Sequence, residues 1–140
     1  MKAKFLILPF LFLFLSCSEQ GEFTTTNNIV EVPVSPAAQL LFSGTFSPTS
    51  GINVSGQAKI VLENNQHRLE LADFSISSGP DLKVYLSKSN TPNQFVTLGN
   101  LTDARIYEIP QSVNLEEYTH VLIHCQQYNH LFAIAPLTKN

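Results

Sequence analysis

Gln57-Ala58-Lys59-Ile60-Val61-Leu62-Glu63, then Asn64-Asn65-Gln66, then Arg68-Leu69-Glu70-Leu71, is the stretch that decides the fold class. In its first run Ala58, Ile60 and Leu62 fall on every second position, the period of a strand with one buried face. Asn tolerates left-handed dihedrals, so Asn64-Asn65-Gln66 predicts a tight hairpin turn. Alternation resumes at Arg68 and slips at Ala72-Asp73 before Phe74 and Ile76, the mark of a β-bulge.

Toward the C-terminus the same grammar continues. Ser78-Gly79-Pro80-Asp81 is a turn, and Leu82, Val84 and Leu86 form the next inward face. Residues 95–98, 106–109, 120–126 and 130–135 also alternate as strands. Asn114-Leu115-Glu116-Glu117-Tyr118 is the one helix-like spot, with Asn114 as cap of a single turn. Short strands at even spacing, about eight of them, point to an all-β fold. The expectation is an antiparallel β-sandwich, jelly-roll-like, over residues 39–140. A domain of that length buries enough surface to stand without disulfides.

Toward the N-terminus the chain changes character. Lys2 and Lys4 precede an apolar run at 5–15, then Ser16-Cys17, the parts of a secretory signal covering 1–16. The run is too short for a membrane-spanning helix, which needs about 20 apolar residues. Leu13-Phe14-Leu15-Ser16-Cys17 resembles the bacterial lipobox, departing from it at Phe14. That resemblance implies cleavage before Cys17, lipid on its sulfur, and anchoring to a bacterial cell-envelope membrane. Residues 17–38 are polar, with Pro33 and Pro36, and read as a flexible tether of about 25 Å root-mean-square span. Ile29-Val30-Glu31-Val32 reads equally as a first edge strand.

Charge narrows the partners. Loss of residues 1–16 removes Lys2 and Lys4 and no acid, leaving six basic against eleven acidic side chains. Such a balance excludes a nucleic-acid binder, which needs a basic face for phosphates. It also excludes docking on anionic lipid through a polybasic patch. The membrane is met through the lipid.

Several later segments, in order, are similar to one family. Gly79-Pro80-Asp81-Leu82-Lys83-Val84-Tyr85-Leu86-Ser87 resembles the signature segment of the DM-thirteen domain, also called the electron-transfer DM domain. Leu98-Gly99-Asn100-Leu101, Tyr107-Glu108-Ile109-Pro110, Val121-Leu122-Ile123-His124-Cys125-Gln126-Gln127-Tyr128 and Phe132-Ala133-Ile134-Ala135-Pro136-Leu137 follow. The similarity covers nearly all of 42–137. It implies an extracytoplasmic β-sandwich with an electron-transfer role resting on Cys125, acting bare or holding a prosthetic group such as haem. Three departures stand out. His124 replaces a usual Trp, Ala133 a usual Gly, and Asp103-Ala104-Arg105 stands where a Gly precedes the Tyr107 strand.

Cys125 is the only cysteine left once Cys17 carries lipid, so no intramolecular disulfide can form. On an alternating strand Val121, Ile123 and Cys125 share one face; His120, Leu122, His124 and Gln126 share the other. That places the thiol inward among apolar neighbours, as a structural core residue. The redox assignment comes from the resemblance alone.

Other chemistry finds less support. Cys125-x4-His130 is like a blue-copper loop, but Met1 is the only methionine, and His120 and His124 fall on the opposite face. A second Cys/His pair for zinc is missing, and so is Cys-x-x-Cys-His for covalent haem. No metal site is therefore assigned. His120 and His124 read as polar groups on a wet strand face, and His67 as a solvent residue by its turn. Asp73 and Asp81 read as bulge and turn residues. No paired carboxylates, activated serine or phosphate loop appears, so no catalytic residues are assigned. Two functions remain. One is a lipid-anchored module that meets an envelope redox partner through Cys125. The other is a protein- or glycan-binding module of the envelope in which Cys125 only packs.

Overall fold

A computed structural model describes residues 37–140. The signal peptide at 1–16, Cys17, the strand alternative at 29–32 and all but the end of the tether lie outside the described residues.

The described residues form ten strands: β1 Gln39–Thr45, β2 Ser47–Pro48, β3 Val54–Glu63, β4 Gln66–Ile76, β5 Leu82–Ser87, β6 Phe95–Asn100, β7 Ile106–Glu108, β8 His120–Cys125, β9 His130–Pro136 and β10 Thr138–Lys139. They make two antiparallel sheets, β10-β1-β3-β4-β7 and β2-β9-β8-β5-β6. The all-β antiparallel sandwich expected from the alternation is present, with ten strands in place of about eight. The strands that alternation did not mark are β1 and the two-residue strands β2 and β10.

The longest hairpin is β3–β4, with Glu63 opposite Gln66. Asn64 and Asn65 form its turn at φ 49° and 61°. Two successive left-handed residues give the turn whose twist matches the strands it joins. Further along, Ser55 faces Ser75 while Gln57 faces Ala72, so Asp73 and Phe74 together oppose Gly56. This is the bulge marked by the slipped alternation. Asp73 takes φ 50° and Gly56 φ 106°. A Cβ on Gly56 would lie within 2.8 Å of the Ala72, Asp73 and Phe74 backbone, so glycine alone fits there.

The inward faces meet in one core. Ala58 and Ile60 of β3, Leu69 and Leu71 of β4, Val84 and Leu86 of β5, and Val121, Ile123 and Cys125 of β8 are buried in it. Each fully buried aliphatic side chain contributes about 1.5–3 kcal/mol relative to exposure. At 114–118 the chain makes a single turn, not a helix. Asn114 caps it, its Oδ1 accepting from Glu116 N at 3.1 Å and its carbonyl from Glu117 N at 3.0 Å.

The first and last strands of the described residues pair at one sheet edge. Phe42 pairs with Lys139 and Ser43 with Thr138. Asn140 Nδ2 donates to Ser43 Oγ at 3.1 Å. Nearby, β1 passes so close to β9 that Gly44 abuts the Pro136 carbonyl.

Candidate functional site

Strand β8 lies inside its sheet, between β5 and β9. Its residues alternate between two environments, and all but His120 are buried.

The inward face carries Cys125, which has 0% exposure and packs in the core with Val121 and Ile123. It ends β8, opposite Leu82 of β5 and His130 of β9. Directly after it, the turn at 126–129 is held by Gln126 N donating to Asp81 O at 3.0 Å and Asn129 N donating to Gln126 O at 3.2 Å. All four residues of that turn are exposed. The thiol is thus fully enclosed yet one residue from solvent-facing chain.

Haem was implied by the family resemblance, and the residues present do not fit it. An axial ligand must line a pocket wide enough for the macrocycle. Cys125 has 0% exposure and lines neither the groove beside His67 nor the cavity beside His124. The latter has a volume of about 270 Å³, below the roughly 300–1,000 Å³ of pockets for drug-sized ligands.

The other face of β8 corrects an expectation. Alternation marked His120, Leu122 and His124 as wet. Leu122 is fully buried, His124 is 6% exposed and His120 is half-buried. The cover comes from β5 and β6. Tyr85 sits opposite Leu122, and its ring stacks on Phe95 at 4.1 Å and on His124 at 5.4 Å between centroids. Three near-parallel rings therefore run across β8, β5 and β6 on the outside of the sheet. Two bulges flank them. Leu98 is the extra residue of β6, between Thr97 and Gly99. Phe132 is the extra residue of β9, between Leu131 and Ala133. Bulges bend and re-aim the strands that carry them.

Beside the rings is a small cavity lined by Tyr85, Pro92, Phe95, His124, Gln126 and Asn129. Pro92 is held there by the loop at 88–94. Buried Ser87 Oγ donates to Thr91 O at 3.0 Å, and Lys88 N donates to Gln94 O at 3.0 Å. His124 Nδ1 is buried with no hydrogen-bond partner among the described residues, an arrangement that costs about 1–3 kcal/mol. Burial pushes the His124 pKa below its ordinary value; the nearby Asn129 side chain opposes this, and the charge of His130 adds to it. His120, whose Nδ1 lies 2.8 Å from Thr119 Oγ1, is shifted the same way by burial.

This has a consequence for stability. With the folded pKa below the unfolded 6.5, acid adds a proton to the unfolded chain before the native one. The stabilisation is complete above the unfolded pKa and is lost as pH falls below it toward the folded pKa. Urea midpoints are expected to drop between pH 7.5 and 5.5, and His124→Phe to shrink that drop. An equal drop in the variant would place the effect elsewhere.

Other candidates fall apart from this site. His67 is half-buried on β4, not in solvent, and borders a groove of about 440 Å³ with Leu40, Val113 and Leu115. His130 is exposed and set edge-on to Phe132. Asp81 pairs with Lys83 at 2.8 Å. Among the described residues no three His, Cys, Asp or Glu side chains converge. Sequence reasoning missed Tyr85, Phe95, Pro92 and Asn129. The available signal was the outward Tyr85 beside outward Leu122, two large side chains on a face otherwise read as polar.

A family model described as Electron transfer DM13 matches residues 45–137. No curated protein and no solved structure matches the chain.

Proposed function

Because the chain belongs to the Electron transfer DM13 family, we propose that it serves electron transfer in a bacterial cell envelope, held at the membrane by lipid on Cys17, with Cys125 as its redox group. Family membership supports the electron-transfer role alone; the envelope and the lipid rest on the signal-like segment ending at Cys17. Support for the thiol is positional: Cys125 is the free cysteine of the described residues and ends a strand beside an exposed turn.

Burial dictates how such a thiol works. A buried, apolar thiol is quiet, because the thiolate is the nucleophile and needs solvation. Opening the 126–129 turn frees the end of β8 while β3–β4, in the other sheet, stays paired. Cys125 then loses its proton to water, and its sulfur attacks a disulfide of a partner protein. A Cys125–partner S–S bond forms, the partner's own S–S bond breaks, and its other sulfur leaves as thiolate. Cys125 is oxidised and the partner cysteine reduced.

The test is a mediated redox titration of the full chain. Wild type is expected to exchange electrons with a reducible partner disulfide, and Cys125→Ala to lose that exchange entirely. Equal exchange by both would remove Cys125 from the mechanism. A second reading has an observation in its favour: zero exposure suits a thiol that only packs. On that reading the domain is a protein- or glycan-binding module of the envelope, and Cys125→Ala binds its partner as wild type does.

A further inference from the structure

Resting on the electron-transfer reading, we propose that the cavity formed by Tyr85, Pro92, Phe95, His124, Gln126 and Asn129 binds a neutral hydroxylated aromatic ring, the chemistry of a quinol.

Shape comes first. The Phe95–Tyr85–His124 stack presents flat rings in succession, and its outer member, Phe95, is 40% exposed. An exposed aromatic at the end of a stack offers a face that a further ring can cover. Pro92 gives a rigid apolar wall. The volume, about 270 Å³, suits one ring or a fused pair and is too small for a macrocycle.

Polarity selects the ligand further. None of the lining residues is an acid, lysine or arginine, so nothing there would compensate a charged ligand for its lost hydration. Among the lining residues are two side-chain amides, Gln126 and Asn129, and His124, whose Nδ1 is buried and unpartnered. A neutral imidazole nitrogen accepts from a hydroxyl or, in the other tautomer, donates to a carbonyl. A quinol offers the hydroxyl and its oxidised form the carbonyl, so one nitrogen serves both. The ligand reaches Nδ1 by displacing Gln126 or Asn129, whose turn is exposed.

Position links this cavity to the thiol. His124 and Cys125 are consecutive, on opposite faces of β8. A bound ring would therefore lie one strand's thickness from the sulfur.

The probes are naphthol, a fused ring pair with one hydroxyl, and naphthalene, which lacks it. Each is titrated into the isotope-labelled full chain and followed by nuclear magnetic resonance. Saturable shifts are expected at Tyr85, Phe95 and His124, with naphthol about tenfold tighter than naphthalene, the worth of one hydrogen bond. Phe95→Ala, at an exposed position, should weaken both probes about tenfold through loss of stacking. His124→Phe should bring naphthol down to naphthalene. No saturable shift, shifts mapping to the groove by Leu40 and Leu115, or equal affinities of the two probes for wild type would each overturn the proposal. The Cys125→Ala redox titration is read independently, so failure of the thiol assignment and failure of this site are told apart.

Discussion

Gly44→Ala is expected to destabilise the domain by about 3 kcal/mol or more, the upper range for overpacking a core. A Cβ at Gly44 would fall 2.0 Å from the Pro136 carbonyl oxygen and 2.8 Å from its carbon. Both atoms are backbone, so no rotamer relieves the clash. Either β1 or the end of β9 must shift, and β1 is tied to β3 along Gly44↔Ala58 and its neighbours. For a domain of about 100 residues such a loss lowers Tm by roughly 12–24 °C. Thermal unfolding of the variant checks it. Gly79→Ala is the internal comparison: its added Cβ meets the Leu82 and Phe132 side chains, which can turn away, so its cost should be smaller. A Gly44 variant within about 1 kcal/mol of wild type would mean that β1 and β9 part easily.

Thiol labelling carries the second large effect. At zero exposure, Cys125 reacts only through an opened state, so its rate is scaled by the opening equilibrium. An opening free energy of about 4 kcal/mol slows modification about 10³-fold relative to the denatured chain. The dependence on urea then separates the two functional readings. Local release of the 126–129 turn exposes little surface, so the labelling rate stays nearly flat at low urea. Exposure through global unfolding makes the rate climb from zero urea with the full unfolding slope. The flat profile is expected of a redox thiol that works by opening its turn. The steep one would leave Cys125 as a packing residue.

The contrast between what was and was not legible follows from the range of the forces involved. The β3–β4 hairpin was legible because Asn64-Asn65 and the alternation around it are local, and even the bulge at Asp73 left its mark as a slipped period. Inward placement of Cys125 followed from counting positions along β8. Strand β1 was hidden by a bulge: Leu40 faces Val61 and Phe42 faces Ile60, so Leu41 is an extra residue that spoils the alternation. Strands β2 and β10 have two residues each, too few to show a period. Covering of the outer face of β8 was invisible for another reason. Alternation assigns side chains to faces but does not say what lies over a face. Leu122 and His124 are buried by Tyr85 and Phe95, which come from strands far back in the sequence and arrive only through pairing.

The pairing of β1 with β10 has a consequence for how the domain is made. Phe42 waits for Lys139, and Ser43 for Thr138, at opposite ends of the described chain. A nascent polypeptide cannot complete that edge until Thr138 and Lys139 have left the ribosome. Contacts of such long sequence separation slow folding, because loop closure is costly before the contacts reward it. The first strand is therefore fastened on one side early, by β3, and its other side stays open until β10 arrives.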